Sequence, residues 1–436
     1  MSNISRFFFL IIIFGLFSSS VFGDMTGYRT SNEFSEARFS IDVVDFRTEH
    51  DDVNRVEVYY KILYNGLTYQ KTNSGYVADY QVSIVIEGKD DEQLEAKVID
   101  GKVTLRTYAE TRQADDYLVN MISTMYDPQN IKVRAALHDK DGNLIGEAET
   151  SLKKRKYWEK YATISRIQFA SEITEKAKES KFNKGEFRVI PTVNRIFGGE
   201  IDSTIRFYHE VYTGTSQVKN MHLVTNMYLR NKGQRYTDTL EINDFSETIK
   251  RYHEINITDL KPGDYTLELV LIGRRGKEYN KYSESIELEL TGESMFKNDY
   301  KEAVKMLKYL ATKDEQNKLK KAETPEEQRR LWDEFWALRA SDGINVLNPS
   351  RLEYFRRIRH ANRYFGLMKK DGWKTTRGMI YIKYGAPDDV EDYPFELGVQ
   401  PYQVWLYYRL SPPRKFVFVD EWGDGNYELQ PPYNGF

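Results

Sequence analysis

The chain has 436 residues, with 63 basic and 66 acidic side chains and no cysteine. The near balance of charge excludes a dedicated nucleic-acid-binding protein, and the lack of cysteine excludes disulfides and a lipid-modified N-terminal cysteine. At about 150 residues per domain the length predicts two or three domains. The 32 tyrosines and 23 phenylalanines favour β-rich domains over a disordered stalk.

The N-terminal segment has the pattern of a secretory signal peptide. Arg6 precedes the apolar run Phe7–Phe17, and Val21 and Gly23 occupy the two positions that signal peptidase reads. The apolar run is shorter than the roughly 20 residues of a membrane-spanning helix. We therefore expect residues 1–23 to be removed and the protein to be exported, with no transmembrane segment in the mature chain.

Residues 37–152 show the alternation of short β-strands. Apolar side chains recur at every second position in Phe39–Val43, Val56–Tyr60, Tyr80–Glu87 and Ile131–Ala135. The run Asp141–Asn143 is typical of a hairpin turn. This part of the chain is predicted to be an all-β, immunoglobulin- or fibronectin-like sandwich.

Residues 161–290 repeat this style. Strands are predicted at Ile201–Tyr212, Met221–Arg230, Gln234–Ile242, Tyr265–Ile272 and Ser285–Leu290. The run Leu260–Tyr265, with Pro-Gly before Tyr265, is typical of the tyrosine corner of such sandwiches. A second β-sandwich is predicted. The basic run Lys153–Lys156 between the two sandwiches fits a solvated linker, with a polyanion contact as the alternative.

Residues 292–436 change to a mixed pattern. Thr324, Pro325 and Glu327 form a helix-start signal with a capping box, and Asn348-Pro349 predicts the start of another helix. Four strands are predicted to follow, at Met379–Tyr384, Gln403–Tyr408, Lys415–Asp420 and Tyr427–Gln430. Helices before hairpin-linked strands predict an α+β C-terminal domain with a small antiparallel sheet.

This C-terminal part resembles the GWxTD-domain family of bacterial exported proteins. The resemblance is carried by Gly372–Gly378, by Tyr381–Asp388 and by the arginine-rich helix Glu353–Phe365, with further matches at Phe335-Trp336 and Phe416–Asp420. Thr376 replaces the Asp that is usual in the family. The resemblance implies an envelope setting, in the periplasm or at the outer membrane, and does not imply a reaction or a substrate.

No metal or cofactor motif is present in the sequence. None of the six histidines has the spacing of a zinc motif, and the chain lacks a P-loop, a dinucleotide fingerprint and a nucleophile elbow. The run Asp139–Asn143 superficially suggests a calcium loop, but its glycine comes too early and no closing Glu follows, so a hairpin tip is predicted. We expect no cofactor.

Charged residues cluster twice in the C-terminal domain. The arginines are 351, 356, 357, 359 and 363, and the acidic residues are 388, 389, 391 and 392. Since arginine readily forms bidentate pairs with carboxylates, the two groups are predicted to pair within the domain. The alternative is a binding site for a phosphate, a carboxylate or an acidic glycan.

The candidate ligand-binding residues are Trp373, Arg377, Tyr384, Asp388 and Trp405. Trp373 and Arg377 together suit a platform that stacks and grips a ligand, although large aromatics are mostly buried, which favours a core role. Thr376 cannot act as a general acid or base. It can bond to backbone, so we predict that it fixes a turn.

Two functions follow from these patterns. The favoured one is a non-enzymatic binding or scaffolding component of the cell envelope, with β-sandwich spacers and a C-terminal domain that docks to an envelope protein or a periplasmic ligand. The alternative is a glycan-directed hydrolase, in which Asp388 and Asp420 form the carboxylate pair and Trp373 or Trp405 holds the sugar.

Overall fold

The computed structural model describes residues 38–431 except 51, 109, 113–115, 199–202, 215–220, 231, 243–245, 340–348, 369 and 395–398. The predicted signal peptide, residues 1–23, lies outside this range. Among the helices that are described, none is long and apolar enough to cross a membrane.

The first β-domain consists of two antiparallel sheets with a shared core. Its strands are β1 (Phe39–Arg47), β2 (Asn54–Leu63), β3 (Gln70–Thr72), β4 (Gly75–Glu87), β5 (Gln93–Leu105), β6 (Tyr117–Tyr126), β7 (Ile131–Asp139) and β8 (Leu144–Leu152). One sheet has the order β1-β2-β6. The other has the order β3-β4-β7-β8, and β5 also pairs with β4. Alternate residues such as Val58 and Tyr60 from the first sheet meet Val82 and Val133 from the second.

The second β-domain also consists of two sheets with a shared core. Its strands are β9 (Thr163–Ile164), β10 (Gln168–Glu175), β11 (Asn183–Lys184), β12 (Phe187–Pro191), β13 (Ile196–Phe197), β14 (Thr204–Tyr212), β15 (Met221–Leu229), β16 (Gly233–Ile242), β17 (Thr248–Asn256), β18 (Gly263–Ile272) and β19 (Glu278–Leu288). Its sheets are β11-β12-β10-β14-β17, with β9 beside β14, and β13-β19-β18-β15-β16. The Tyr265 hydroxyl donates to the Lys261 carbonyl at 2.9 Å, which is the bond expected of a tyrosine corner.

The two β-domains pack face to face. The outer side of the β1-β2-β6 sheet meets the outer side of the β10-β12-β14 sheet, so four sheets lie in one stack. The buried apolar residues at this joint are Val44, Phe46, Tyr59, Ala170, Val189, Val193 and Tyr208. Charged side chains are buried with them: Glu57 forms an ion pair with Lys184, and both are almost inaccessible to solvent. The domains are therefore held together by a continuous core.

The linker between the β-domains is part of this joint. Arg155 donates to the Ile164 carbonyl at 2.8 Å and to Asn280 Oδ1 at 3.1 Å, and its own carbonyl accepts from Asn54. The Tyr157 hydroxyl donates to the Asp45 carboxylate at 2.6 Å. The prediction of a solvated linker is thus wrong for Arg155, although its neighbours Lys153, Lys154 and Lys156 are exposed.

The C-terminal domain begins with helices that enclose an aromatic core. They are α1 (Gly292–Asn298), α2 (Tyr300–Met306), α3 (Lys313–Lys320), α4 (Pro325–Ala337), α5 (Arg351–Phe365) and α6 (Thr376–Tyr384). Thr324 caps α4 as predicted, but Glu327 bonds the Glu323 amide and does not close a capping box. Ser350 caps α5, so that helix begins later than Asn348-Pro349 predicted.

A four-stranded antiparallel sheet completes the domain. Its strands are β20 (Asp389–Tyr393), β21 (Tyr402–Tyr407), β22 (Arg414–Asp420) and β23 (Tyr427–Leu429), paired in chain order. The strand predicted at Met379–Tyr384 is wrong, because these residues belong to α6. Thr375 caps that helix and Gly385, with φ +76°, ends it, so the local caps and the packing override the β-branched Ile380 and Ile382.

Candidate functional site

The signature segment is a tight turn that starts α6. Residues Gly372–Lys374 form one 3-10 turn, after which the Thr375 hydroxyl donates to the Gly372 carbonyl at 2.7 Å and accepts from the Gly378 amide at 3.0 Å. A Cβ at Gly372 would lie 1.8 Å from the Ala361 carbonyl oxygen, and one at Gly378 would lie 1.9 Å from the Gly372 oxygen. The turn therefore packs so closely against α5 and against the start of α6 that only glycine fits at these two positions.

Trp373 lies in the core next to this turn. Its side chain is 3% exposed and packs edge-on against Tyr309, with ring centroids 6.5 Å apart. The backbone of Trp373 is bonded on both sides, since its amide donates to Asn362 and its carbonyl accepts from the Tyr309 hydroxyl. Trp373 is therefore a core residue, and its indole does not form an open platform.

Thr376 connects the helix start to the sheet. Its hydroxyl donates to the Tyr427 carbonyl at 2.8 Å. The prediction that the Thr376 side chain bonds to backbone is confirmed, but it does not fix the turn. Thr375 fixes the turn, and Thr376 bonds β23 instead. An Asp here could not donate this bond in its ionised form.

Arg377 is buried between the helices and the sheet. Its guanidinium lies 5.1 Å from the centre of the Phe365 ring and 4.4 Å from that of Tyr427, and it donates to Gln403 Oε1 and to the Gly425 carbonyl. Asp392 belongs to the same cluster: burial raises the pKa of its carboxyl, while Gln403 and the charge of Arg377 oppose that rise. Arg377 therefore orders the loop after β22.

Asp420 orders the same loop from the other side. Its buried carboxylate accepts from the amides of Asp424 and Gly425, at 3.2 and 2.8 Å. Trp405 is fully buried on the inner face of the sheet, against Phe418 at 4.6 Å between ring centroids. Neither side chain is open to a ligand in this structure.

Tyr384 and Asp388 lie at the opposite end of the sheet. The Tyr384 hydroxyl accepts from Arg414 at 2.9 Å, and Asp388 forms an ion pair with Arg409. The amides of Asp388 and Asp420 bond to the carbonyls of residues 406 and 401 of the same extended segment, which places the two backbones roughly 16 Å apart along the strand. Two short side chains do not bridge that separation. A glycosidase pair requires about 5 to 9.5 Å, so Asp388 and Asp420 cannot form one.

The arginines of α5 pair with carboxylates outside the acidic tract that was predicted. Arg356 and Arg357 bind Glu353 within the helix, Arg359 binds Glu289, and Arg363 binds Glu287. Glu287 belongs to β19 and Glu289 follows it directly. The helix therefore attaches the C-terminal domain to the second β-domain, and the prediction of pairing with residues 388–392 names the wrong partners.

A solvent-facing surface lies beyond the buried signature residues. Trp422, in the loop that Arg377 and Asp420 fix, is 83% exposed. Val399 is 52% exposed and lies beside this loop, because its neighbour Gln400 donates to the Glu421 carbonyl. Tyr393 and Tyr402 stack on adjacent strands of the same end, at 4.4 Å between centroids. We call Tyr393, Val399, Tyr402 and Trp422 the aromatic tip. The sequence carried one signal for it, a Trp between the turn residues of a hairpin loop.

Within the described part of the chain, no group of three or more His, Asp or Glu side chains is placed to hold a metal ion. The geometry defines an α+β domain in which buried polar side chains, Arg377 and Asp420, lie under the exposed aromatic tip. This domain is joined to two stacked β-domains. Residues 284–431 match the profile of the GWxTD domain. The chain therefore carries a GWxTD domain at its C-terminal end.

Two solved structures show limited similarity. Transglutaminase of red sea bream is 11% identical over 59% of this chain, with a TM-score of 0.19, and a calcium-binding mutant of Bacteroides uniformis beta-glucuronidase 2 is 9% identical over 58%, with a TM-score of 0.20. The chain spans about a third of those proteins, 32% and 28%. Such scores carry no argument about fold or function. No curated protein matches the chain.

Proposed function

We propose that the protein is an exported component of the cell envelope that binds a protein partner through the aromatic tip. The two β-domains, which we take as immunoglobulin- or fibronectin-like, would serve as a stiff spacer, and the protein would act as a scaffold and not as an enzyme. The signal-peptide pattern and the GWxTD domain support the setting.

One observation carries the proposal of a binding role. Trp422 is exposed on a loop whose backbone forms three partly buried hydrogen bonds, two to the Asp420 carboxylate from residues 424 and 425 and one from Arg377 to the Gly425 carbonyl. An exposed indole on a fixed loop loses little entropy on binding, and Trp and Tyr are the side chains that dominate the energy of protein interfaces. The buried signature thus supports the loop that would make the contact.

A protein partner fits the tip better than a glycan does. Sugars stack on aromatic faces, and Val399 adds an aliphatic surface of the kind that protein interfaces bury at their centre. The separation of Asp388 and Asp420 also leaves the hydrolase alternative without its proposed carboxylate pair. Glycan binding remains an outcome that the experiment below distinguishes.

The test is site-specific photo-crosslinking in the native envelope. A photo-reactive residue replaces Trp422 in one variant and Met125, which is also exposed but lies on the first β-domain, in a matched control. A protein adduct from position 422 alone is expected, and it should survive enzymatic removal of glycans. If position 422 gives no adduct, or the same adducts as position 125, the proposal is overturned; loss of the adduct on deglycosylation would favour glycan binding.

A further inference from the structure

A second exposed feature lies between α5 and the signature turn. Leu367 and Lys370 bond each other in both directions, amide to carbonyl, at 2.9 and 3.2 Å. Met368 lies at this tight turn with 102% relative exposure, the highest of the large hydrophobic side chains in the described residues. The turn thus presents an apolar side chain to solvent, and its burial against another surface would be favourable.

Lysines surround the base of this turn. The Lys308 ammonium lies 4.8 Å from the centre of the Trp373 ring and 4.4 Å from that of Tyr309, and the Lys374 ammonium lies 5.1 Å from the Trp373 ring. Burial lowers the pKa of Lys308, and the charges of Lys374 and Lys370 lower it further. Three ammonium groups therefore share one small surface.

The carboxylates nearby neutralise this surface only in part. Lys374 pairs with Asp371 at 2.8 Å and with Glu302 at 3.8 Å, and Glu302 also pairs with Lys305 at 2.9 Å. Lys370 pairs with Glu428 at 3.7 Å. Lys308 has no carboxylate partner within ion-pair distance among the residues that the structure describes. Four lysines, Lys305, Lys308, Lys370 and Lys374, thus face three carboxylates, Glu302, Asp371 and Glu428. The surface next to Met368 keeps an excess of one positive charge, which an anionic surface would complement.

We infer that Met368, with Lys308, Lys370 and Lys374, docks the GWxTD domain on an anionic phospholipid surface. A single protruding side chain buries too little area for a stable protein interface. A bilayer can take up one apolar side chain at its headgroup boundary while lysines around it bind the phosphates. This inference does not depend on the aromatic tip, because the residues that carry it are different.

Vesicle sedimentation of the mature chain tests the inference. Vesicles of phosphatidylcholine with about a third phosphatidylglycerol are compared with vesicles of phosphatidylcholine alone. The protein should bind the anionic vesicles, and each of Lys308→Gln and Lys374→Gln should weaken binding about fivefold. Met368→Asp should weaken it more, whereas the matched control Met125→Asp, at an exposed methionine of the first β-domain, should change nothing.

Three outcomes would overturn the inference. Equal binding to both kinds of vesicle would remove the role of charge. Unchanged binding by Met368→Asp would remove the role of insertion. Full competition by millimolar inorganic phosphate at constant ionic strength would indicate a phosphate site and not a membrane contact. Circular dichroism of each variant ensures that a loss of binding is not a loss of fold.

Discussion

The buried ion pair of Lys184 and Glu57 should set much of the stability of the joint between the β-domains. Lys184 comes from the second β-domain and Glu57 from the first, and their side chains are 3% and 4% exposed. Burial alone would raise the pKa of Glu57, but the charges of Lys184 and Arg55 lower it overall. The carboxylate is therefore kept ionised by its partners.

Replacement of Lys184 by Met keeps the length of the side chain and removes its charge. Removing one partner of a buried pair usually costs about 3 to 5 kcal/mol, because the other charge stays buried. Glu57 would still accept from Arg55 at 2.9 Å and from the Tyr59 hydroxyl, so we expect the lower end, about 3 kcal/mol. In the double variant Lys184→Met, Glu57→Gln the loss should be smaller than the sum of the single losses.

Chemical denaturation followed by circular dichroism measures the free energy of unfolding. The matched control is Lys132→Met, which breaks the partly exposed pair with Glu149 and should cost less than about 1 kcal/mol. If Lys184→Met costs no more than this control, the pair does not hold the joint and the reasoning is wrong.

Three further predictions concern the GWxTD domain and the second β-domain. Thr375→Ala removes the cap of α6 and should cost about 1 kcal/mol in denaturation, while Thr375→Ser should cost little. Gly372→Ala places a Cβ 1.8 Å from a buried backbone oxygen and should abolish the near-ultraviolet dichroism of the domain. Burial lowers the pKa of His253 to about 4, with Asp238 opposing and Arg251 adding to the effect. Since an unfolded histidine titrates near 6.5, stability should fall by up to about 3 kcal/mol as pH drops from about 6.5 to about 4, and His253→Leu should flatten this fall.

Each of these has an outcome that contradicts it. A Thr375→Ser variant as unstable as Thr375→Ala would show that the hydroxyl is not the cap. A folded Gly372→Ala variant would mean that the signature turn can move away from α5 at little cost. An unchanged pH profile in His253→Leu would place the acid sensitivity elsewhere.

The sequence predicted part of the β-strands, among them β2 and β15, and the helix start at Thr324, because alternation and caps are local signals. It named no strand at β5, β6, β10, β17 or β20. It missed α6, because Ile380 and Ile382 favour a strand while the Thr375 cap and the contacts with α5 decide for a helix. Local pattern also could not show that Arg363 meets Glu287, 76 residues away, since such a pair depends on how whole domains dock.

The sequence favoured a core role for Trp373 and left a ligand-binding platform of Trp373 and Arg377 as the alternative. Trp373 and Arg377 stood out as unusual residues in a short motif, and both prove to be buried in the core. Trp422 gave a weaker signal, a single aromatic in a turn. Whether an aromatic faces the core or solvent depends on neighbours far apart in the chain, and a single sequence does not contain that information.

The path of the linker has a consequence for how this protein can change during evolution. Because Arg155 and Tyr157 are built into the joint, and the rings of Phe46 and Tyr208 pack against each other across it, neither β-domain ends at a clean boundary. Recombination that exchanged one β-domain alone would expose half of a hydrophobic core. It would also leave the Asp45 carboxylate without the hydrogen bond from the Tyr157 hydroxyl. The pair should therefore be inherited as one unit of about 250 residues, longer than the usual single domain.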